Sequence, residues 1–340
     1  MGFRNCDDDV VDRPSVTTIH DVAREAHVGE STVSRVLRGQ GAVSEKARDR
    51  VLSAVRKLGY VPNRIAGTLA SSGSRLVALV IPSITNIVFS DVLAAAAPTL
   101  TALGQQAVFA VTDYDLDAEE RLIESMLAWR PSGIIVAGVE HTPRSIAMLR
   151  GSGVRIAEIL DAESSGIDIV VGFSNTAAGR ESARFLLSRG KRRIGYVGHD
   201  LTRDLRAGKR HKGFCQALAD GDQRVVDAEI VPALSSIELG RDSLARLLER
   251  TPDLDAVYFA NDDLAIGGLF HCMANGIAVP DRLALMGYNG LDVGRLAPRP
   301  LSTVRTPRRR IGELAATLVC SQQPSQVCDV GFELIEGATV

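Results

Sequence analysis

The chain has 340 residues, of which 45% are hydrophobic and 24% charged, and its formal net charge is -2. This length exceeds what one ordinary core organises, so a soluble protein of two or three domains is expected. The sequence holds no apolar run long enough for a bilayer and begins with acidic residues where a signal peptide would be apolar, which predicts a cytoplasmic protein. Its five scattered cysteines indicate neither a disulfide framework nor a zinc site, and are expected to be reduced, mostly buried thiols.

Charge is distributed unevenly along the chain. Residues 16–75 hold ten Lys or Arg and five Asp or Glu, a net charge of +5, whereas the rest of the chain is acidic. A compact basic segment beside an acidic body predicts a polyanionic partner for that segment alone.

Three short helices are predicted within the basic segment. Apolar residues recur at helical spacing on both sides of a break at residues 27–29: Ile19, Val22, Ala23 and Ala26, then Val33, Val36 and Leu37. Ser44 is the predicted N-cap of a third helix, whose apolar face is Ala47, Val51, Val55 and Leu58. These helices predict a small domain at residues 16–60, followed by a hinge and linker at 61–74.

From residue 75 to 340, short apolar runs alternate with longer amphipathic stretches. The runs are LVALVI (76–81), AVFAV (107–111), GIIVAG (133–138), RIAEIL (155–160), DIVVGF (168–173), RIGYVG (193–198), AVYFA (256–260) and LALMGY (283–288). This alternation is typical of βαβ units, and its extent favours an α/β body of two doubly wound lobes with parallel sheets.

The second helix carries polar and basic side chains opposite its apolar residues. They are Glu30, Ser31, Ser34, Arg35 and Arg38. Arginine can bond guanine edges and phosphates, and hydroxyl groups reach phosphates or bases. An ordinary solvated helix face has a similar composition, but the paired helices, the tight turn and the local positive charge favour DNA recognition.

The stretch TTIHDVAREAHVGESTVSRVLRG, followed by VSEKARDRVLSAVRKLGYVPNRIAGTLAS, resembles the DNA-binding headpiece of the LacI/GalR family of bacterial transcription regulators. The resemblance implies a helix-turn-helix with its second helix in the major groove, and dimers that bind a palindromic operator. By position it implies base contacts from Glu30, Ser31 and Arg35. It implies backbone or flanking contacts from Thr18, Thr32, Ser34 and Arg38.

The headpiece departs from the family pattern at the turn between its first two helices. Most members have Gly at the position of His27 and Ser or a similar residue at Gly29. Because positive φ is easiest for glycine, an adjusted or strained turn is predicted at His27. Glu30 is an unusual base contact because a carboxylate repels phosphate, although it can accept a hydrogen bond from cytosine N4.

Residues 62–70, PNRIAGTLA, resemble the family's hinge helix, which enters the minor groove as a pair. The resemblance implies that Leu69 wedges between base steps, with Asn63 and Arg64 in the same DNA-binding segment. Gly67 and the short length make this helix marginal in isolation, so a hinge that orders only on DNA is predicted. The alternative is a flexible linker with a core leucine.

Polar side chains follow many of the predicted strands, at the edge where open α/β sheets bind ligands. The candidates are Ser83, Thr85, Asn86, Phe89, Asp113, Glu140 and Asn175, and, from the second lobe, Arg206, Arg210, Asn261 and Asn289. Arg206 and Arg210 are one helical turn apart and could hold a carboxylate, although a solvated helix face has the same spacing. For Asp262 a turn or helix cap is favoured, and for His141 an exposed loop or capping position.

The body resembles a type I periplasmic sugar-binding fold, with two lobes joined by three crossovers. The resemblance implies effector contacts at Asp161, Phe173, Arg210, Asn261 and Asn289. IPSITNIVF, ERLIESMLAW and MGYNGLDVG resemble the gluconate-utilisation repressors, which implies a repressor released by a sugar acid such as gluconate. A neutral sugar or a sugar phosphate would also fit this lining.

Two other classes of protein, enzymes and solute-binding proteins, fit the sequence less well than a DNA-binding regulator. No P-loop, G-x-S-x-G elbow or H-E-x-x-H motif indicates an enzyme, a metal site or a cofactor. The body alone would suit a solute-binding protein, but the basic headpiece argues against it. The last residues show no heptads, so a homodimer formed through the body is expected rather than a coiled-coil tetramer.

Overall fold

The computed structural model describes residues 17–39, 41, 43–61 and 74–340. The chain divides into two compact units, Met1–Ser72 and Gly73–Val340, which are called the headpiece and the body. The predicted hinge contacts Asn63, Arg64 and Leu69 lie outside the described residues. Among the residues that are described, no helix combines the length and apolarity needed to cross a membrane.

The headpiece contains the three predicted helices, α1 (Ile19–Ala26), α2 (Glu30–Arg38) and α3 (Glu45–Leu58). Their buried core is Val22, Ala23, Ala26, Val33, Val36, Val51 and Ala54. Each helix contributes small or β-branched side chains, so the helices pack closely around a core of few residues.

The turn between α1 and α2 is built around His27. Its backbone lies in the left-handed region at φ 51° and ψ 48°, where it ends α1 and donates its N–H to the carbonyl oxygens of Ala23 and Arg24. The predicted positive φ is therefore confirmed, and a side chain with a Cβ is strained there. Gly29 precedes α2 without a side-chain cap, which costs roughly a few tenths of a kcal/mol relative to serine.

The body is an α/β structure of alternating strands and helices. Its strands are β1 (Leu76–Ile81), β2 (Gln106–Val111), β3 (Gly133–Ala137), β4 (Arg155–Ile159), β5 (Ile169–Gly172), β6 (Ile194–Gly198), β7 (Ala228–Ile230), β8 (Ala256–Phe259), β9 (Ala284–Met286), β10 (Thr303–Arg305), β11 (Gln326–Asp329) and β12 (Glu333–Ile335). Its helices are α4 (Ile87–Ala102), α5 (Leu116–Ala128), α6 (Pro143–Gly151), α7 (Asn175–Ser188), α8 (Leu205–Asp220), α9 (Ile237–Arg250), α10 (Asp262–Ala274), α11 (Asp292–Arg295) and α12 (Arg308–Val319).

Two parallel sheets define the two predicted lobes. The first lobe holds the order β11-β5-β4-β3-β1-β2, and the second holds β7-β6-β8-β9. Strands β10 and β12 form a separate antiparallel pair. Each predicted apolar run contains a strand. The sequence did not indicate β7, β10, β11 and β12, which are three or four residues long and lack a continuous buried run.

The chain passes between the lobes three times, as the resemblance implied. It leaves the first sheet after β5, because α7 packs on α8 of the second lobe, and it returns between β10 and α12. The third passage lies between β11, which completes the first sheet, and β12, which pairs with β10. The carboxyl ends of the two parallel sheets therefore border a cleft between the lobes.

Glycines let two helix pairs of the second lobe approach closely. A Cβ on Gly179 of α7 would overlap the carbonyl oxygen of Arg210, and one on Gly213 of α8 would overlap that of Thr176. Gly240 and Gly267 make the corresponding approaches between α9 and α10. In these contacts backbone atoms meet backbone atoms, so no flexible side chain could move aside for an added Cβ. The close contacts therefore fix the position of α8 against α7.

We predict that Gly213→Ala lowers the free energy of unfolding of the body by about 2 kcal/mol, because the added methyl group forces α7 and α8 apart. Gly151→Ala is the matched control, since a Cβ there meets nothing within 4 Å. It should leave the free energy unchanged or raise it by up to about 1 kcal/mol. Urea denaturation of both variants checks this, and equal effects would contradict the close approach.

Candidate functional site

The cleft between the lobes has two adjoining parts that share Asn86 and Asp204. The part called the cleft floor is lined in addition by Val88, Phe89, Leu160, Phe173, Asn175, Arg206, Arg210, Asn261, Tyr288, Asn289 and Thr306. The part called the cleft mouth is lined by Ser83, Thr85, Tyr114, His199, Asp200, Arg203, Pro232, Ala233, Leu234, Ser235 and Asp263. Both lobes contribute to both parts, so a ligand here would contact the two lobes at once.

Most of the predicted effector residues come together in this cleft. Phe89, Phe173, Arg206, Arg210, Asn261 and Asn289 line the floor, Ser83 and Thr85 line the mouth, and Asn86 lines both. The predictions for Asp113 and Asp161 differ from the structure, because neither residue lines the floor or the mouth.

Arg210 is a buried cation at the cleft floor, with only 7% of its surface exposed. Its Nη1 donates to Asn175 Oδ1 at 3.0 Å and its Nη2 to the carbonyl oxygen of Ala260 at 3.4 Å. The guanidinium carbon lies 4.0 Å from the ring centroid of Tyr288, at cation–π distance. These contacts fix the guanidinium in place and exclude the solvated-face interpretation for this arginine.

Arg206 lies one helical turn before Arg210 and also faces the floor. Its side chain is 12% exposed, its guanidinium carbon lies 5.3 Å from the ring centroid of Phe89, and its Nη2 is 3.7 Å from Asp204 Oδ1. Asp204 caps α8 by accepting from the N–H of Ala207. The spacing predicted from the sequence therefore places both guanidinium groups on the cleft side of α8.

Asp204 is the buried carboxylate that faces these two arginines. Burial by itself would raise its pKa, but the charge of Arg206, the hydrogen bond from His199 and the charge of Arg210 together hold the pKa well below its usual range. His199 Nε2 lies 3.1 Å from Asp204 Oδ2. At neutral pH, Arg206, Arg210 and Asp204 thus carry two positive charges against one negative charge, an arrangement that suits a single anionic group.

Two asparagines add fixed polar groups to the floor. Asn261, which is 4% exposed, caps α10 by accepting from Leu264 N and donates its Nδ2 to Ser235 Oγ at 2.7 Å. Asn289 has a φ of 117°, an unfavourable backbone conformation for a residue with a Cβ. Such strain often accompanies a binding role, which fits its place beside Arg210.

Asp113 is exposed, and Tyr114 beside it lines the cleft instead. Both residues have positive φ, 53° and 58°, so the chain turns sharply after β2 and directs the aromatic ring inward. The Tyr114 hydroxyl accepts from Asn86 Nδ2 at 2.9 Å, and burial raises its pKa to about 12. The sequence pattern indicated a polar side chain at this strand end and gave no sign of the tyrosine.

Asp161 is fully buried but forms an ion pair with Lys209 of α8, at 2.7 Å. Lys209 Nζ also pairs with Glu140 of the first lobe. Hydrogen bonds to the two carboxylates raise the pKa of Lys209 against the opposing effect of burial. These three residues join the two lobes beside the cleft. They form ion pairs with each other and do not face the cleft floor or mouth.

The expectation of an exposed or capping role for His141 is wrong. Its side chain is fully buried, with Nδ1 at 2.6 Å from Glu119 Oε1 and Nε2 at 3.4 Å from Glu158 Oε1. Burial opposes the charged form, but the two carboxylates prevail and raise the pKa of His141 to about 9. The imidazolium therefore joins Glu119 of α5 to Glu158 of β4 inside the first lobe.

The cap expected at Asp262 is also wrong, because its neighbour Asn261 caps the helix. Asp262 is fully buried and accepts from the N–H of Leu291 and from Thr303 Oγ1, both at 2.7 Å. Burial raises its pKa to about 6. It ties the start of α10 to β10 and to the loop after β9.

The outer face of α2 presents the predicted polar residues. Glu30, Ser31 and Arg35 are exposed, and Thr32 and Ser34 are half-buried, whereas the side chain of Arg38 lies outside the described part of the chain. The Thr18 hydroxyl caps α1 in a reciprocal pair with Asp21. A hydrogen bond of 2.9 Å between His20 Nδ1 and Glu30 Oε1, which no sequence pattern indicated, joins α1 to α2.

The thiols in the described part of the chain do not match the expectation of mostly buried cysteines. Cys272 is buried, and Cys215, Cys320 and Cys328 are half-buried. Within the described ranges no cluster of His, Cys, Asp or Glu has the geometry to hold a metal ion.

Both units match proteins of one known family. A family model for "Bacterial regulatory proteins, lacI family" matches residues 18–63, and one for "Periplasmic binding proteins and sugar binding domain of LacI family" matches residues 74–327. The HTH-type transcriptional regulator GntR of Escherichia coli strain K12 is 35% identical over 327 residues, 95% of this chain and 98% of the relative. GntR of Pseudomonas aeruginosa is 37% identical over 325 residues, 94% of each chain. A LacI family transcriptional regulator from Silicibacter pomeroyi superposes with a TM-score of 0.91 at 40% identity, over 95% of this chain and 99% of that chain.

The ion pairs of the buried His141 should make the stability of the body depend on pH. Because its folded pKa of about 9 exceeds the ordinary value of 6.5, its contribution to stability is complete below pH 6.5 and is lost as the pH rises through 9. The loss amounts to about 3 kcal/mol in the free energy of unfolding of the body. Urea denaturation at several pH values should show this decline in the wild type and a smaller one in His141→Gln. Identical pH profiles in the two proteins would contradict the ion pairs.

Proposed function

Because the chain belongs to the LacI family of bacterial regulatory proteins and is a DNA-binding transcriptional regulator, we propose that it is a repressor released from its operator by a sugar acid such as gluconate. The observation that carries the effector proposal is the surplus positive charge at the cleft floor. Arg206 and Arg210 both line the floor, and Asp204 is the buried carboxylate that they share. A ligand with one carboxylate would neutralise the remainder through charge-assisted hydrogen bonds.

The rest of the cleft supports a polyhydroxylated ligand. Asn86, Asn261 and Asn289 offer amide groups, and the mouth adds the hydroxyl groups of Ser83 and Ser235. Phe89 and Phe173 give the floor an apolar surface for carbon-bound hydrogens of the ligand. A few fixed polar groups on an apolar lining is the usual composition of a small-molecule site.

The charge at the floor favours a monoanion over the two alternative effectors. A neutral sugar would leave two buried guanidinium groups sharing one carboxylate, Asp204, which is less favourable than a floor whose charges are balanced. A phosphorylated sugar acid brings about two further negative charges, whereas the mouth holds two carboxylates, Asp200 and Asp263, against the single guanidinium of Arg203. A sugar acid without phosphate matches both parts of the cleft.

The proposed mechanism couples the cleft to DNA through the lobes. A ligand that contacts Phe89 and Phe173 of the first lobe and Arg210 and Asn261 of the second stabilises the arrangement in which these residues converge. We propose that a homodimer formed through the body carries paired headpieces to a palindromic operator in the cytoplasm. Residues 16–60 would bind the major groove, residues 61–74 would form the hinge, and residues 75–340 would bind effector and partner subunit.

We predict that Arg206→Met weakens gluconate binding by about 10- to 100-fold, because the methionine keeps an apolar stem but loses a charge-assisted hydrogen bond. Lys212→Met is the matched control, since Lys212 is an exposed cation of the same helix. Isothermal titration of both variants with gluconate, glucose and 6-phosphogluconate checks the affinity and the ligand class. Tighter binding of glucose than of gluconate by the wild type would contradict the proposed effector.

We predict that gluconate lowers the affinity of the full-length protein for operator DNA, because the ligand stabilises a body conformation that holds the headpieces unfavourably. Electrophoretic mobility shifts on operator fragments, with and without gluconate, measure the change. Arg206→Met should still bind DNA but should need a higher gluconate concentration for release. If gluconate strengthens the DNA complex, the protein is co-repressed rather than induced.

A further inference from the structure

We propose that Glu30 recognises a cytosine in each operator half-site and that His20 is a positioning residue that orients its carboxylate. This inference concerns the DNA-binding unit alone and does not depend on the identity of the effector. It rests on the hydrogen bond between His20 and Glu30, which links α1 to the first residue of α2.

Glu30 is the first residue of α2, a position from which a recognition helix contacts bases. In a helix-turn-helix, the N-terminal residues of the second helix reach base edges in the major groove, while the first helix crosses the backbone. Glu30 begins α2, and the preceding Gly29 has no side chain to compete for that position. A carboxylate is also favourable at this end of the helix, where unpaired backbone N–H groups leave partial positive charge.

The chemistry of a carboxylate selects among the bases. An ionised carboxylate can only accept hydrogen bonds, and in the major groove cytosine offers the N4 amino donor. Adenine also has an amino donor, but its N7 acceptor lies beside that donor and repels a second carboxylate oxygen. Guanine and thymine present acceptors to the same region, so cytosine is the favoured base.

The hydrogen bond with His20 fixes the direction of the Glu30 carboxylate. His20 Nδ1 lies 2.9 Å from Glu30 Oε1, and because the carboxylate only accepts, the imidazole N–H is the donor. This bond occupies one oxygen and leaves Oε2 to accept from a base. The two side chains are 68% and 53% exposed, so packing does not hold the glutamate and the hydrogen bond restricts its rotamers.

The two acidic residues of α1 have other partners. Asp21 pairs with Arg24 within α1, and Glu25 pairs with Lys57 of α3 at 2.7 Å. Glu30 differs from both because its partner lies on the neighbouring helix of the helix-turn-helix pair. The position therefore combines an acceptor at the start of α2 with a donor on α1 that fixes its direction.

Selection from a pool of palindromic duplexes with randomised half-sites tests the role of Glu30. The full-length wild type should select cytosine at one position of each half-site, and Glu30→Gln should select adenine there, because glutamine bonds adenine N6 and N7 together. Glu25→Gln is the matched control and should select the wild-type sequence. Identical selection by wild type and Glu30→Gln, or no cytosine at the position that changes, would overturn the proposal.

The role of His20 is tested by base discrimination rather than by overall affinity. On the selected duplex, the wild type should prefer cytosine over thymine at the Glu30 position by about tenfold or more, the usual cost of a mismatch. His20→Ala should reduce this ratio to about threefold or less, and His20→Gln, which keeps a donor, should restore most of it. A ratio unchanged in His20→Ala, or lost in a His20→Gln variant that still binds DNA, would show that the hydrogen bond does not position Glu30.

Discussion

The buried guanidinium of Arg210 is the constraint on which the body depends. A cation at this depth is tolerated because Asn175, the Ala260 carbonyl group, the Tyr288 ring and the charge of Asp204 surround it. These partners come from α7, from the ends of β8 and β9, and from the start of α8. The same contacts that make the charge acceptable therefore hold together the elements that border the cleft. Close packing of α7 on α8 then keeps the guanidinium at the floor.

Much of the architecture could be predicted because buried parallel strands leave long apolar runs in the sequence. Strands β10 and β12 could not, because they are short, pair with each other across a long stretch of chain, and have no apolar period. The headpiece was predictable for a similar reason: each helix has apolar residues at helical spacing, and Thr18 and Ser44 are recognisable caps. The left-handed His27 was predictable because the family has glycine there.

The cleft was harder to predict at the level of single side chains. Strand ends indicated the region, but the direction of a side chain at a sharp turn depends on backbone angles, and so Tyr114 rather than Asp113 lines the cleft. The roles of His141 and Asp161 could not be predicted, for another reason. Their partners, Glu119, Glu158 and Lys209, are distant in sequence, and no local pattern reveals a buried ion pair.

The side chain of Asn261 has two roles, and these limit the substitutions through which the protein could acquire a new ligand specificity. Its side-chain oxygen caps α10 while its amide nitrogen bonds Ser235 at the cleft mouth. A substitution that alters ligand preference there also removes a helix cap, at a cost of about 1 kcal/mol. Thr85 is exposed and caps no helix, so it can vary more freely. New effector specificities should therefore arise in evolution first at mouth residues that cap no helix, such as Thr85, with Asn261 retained.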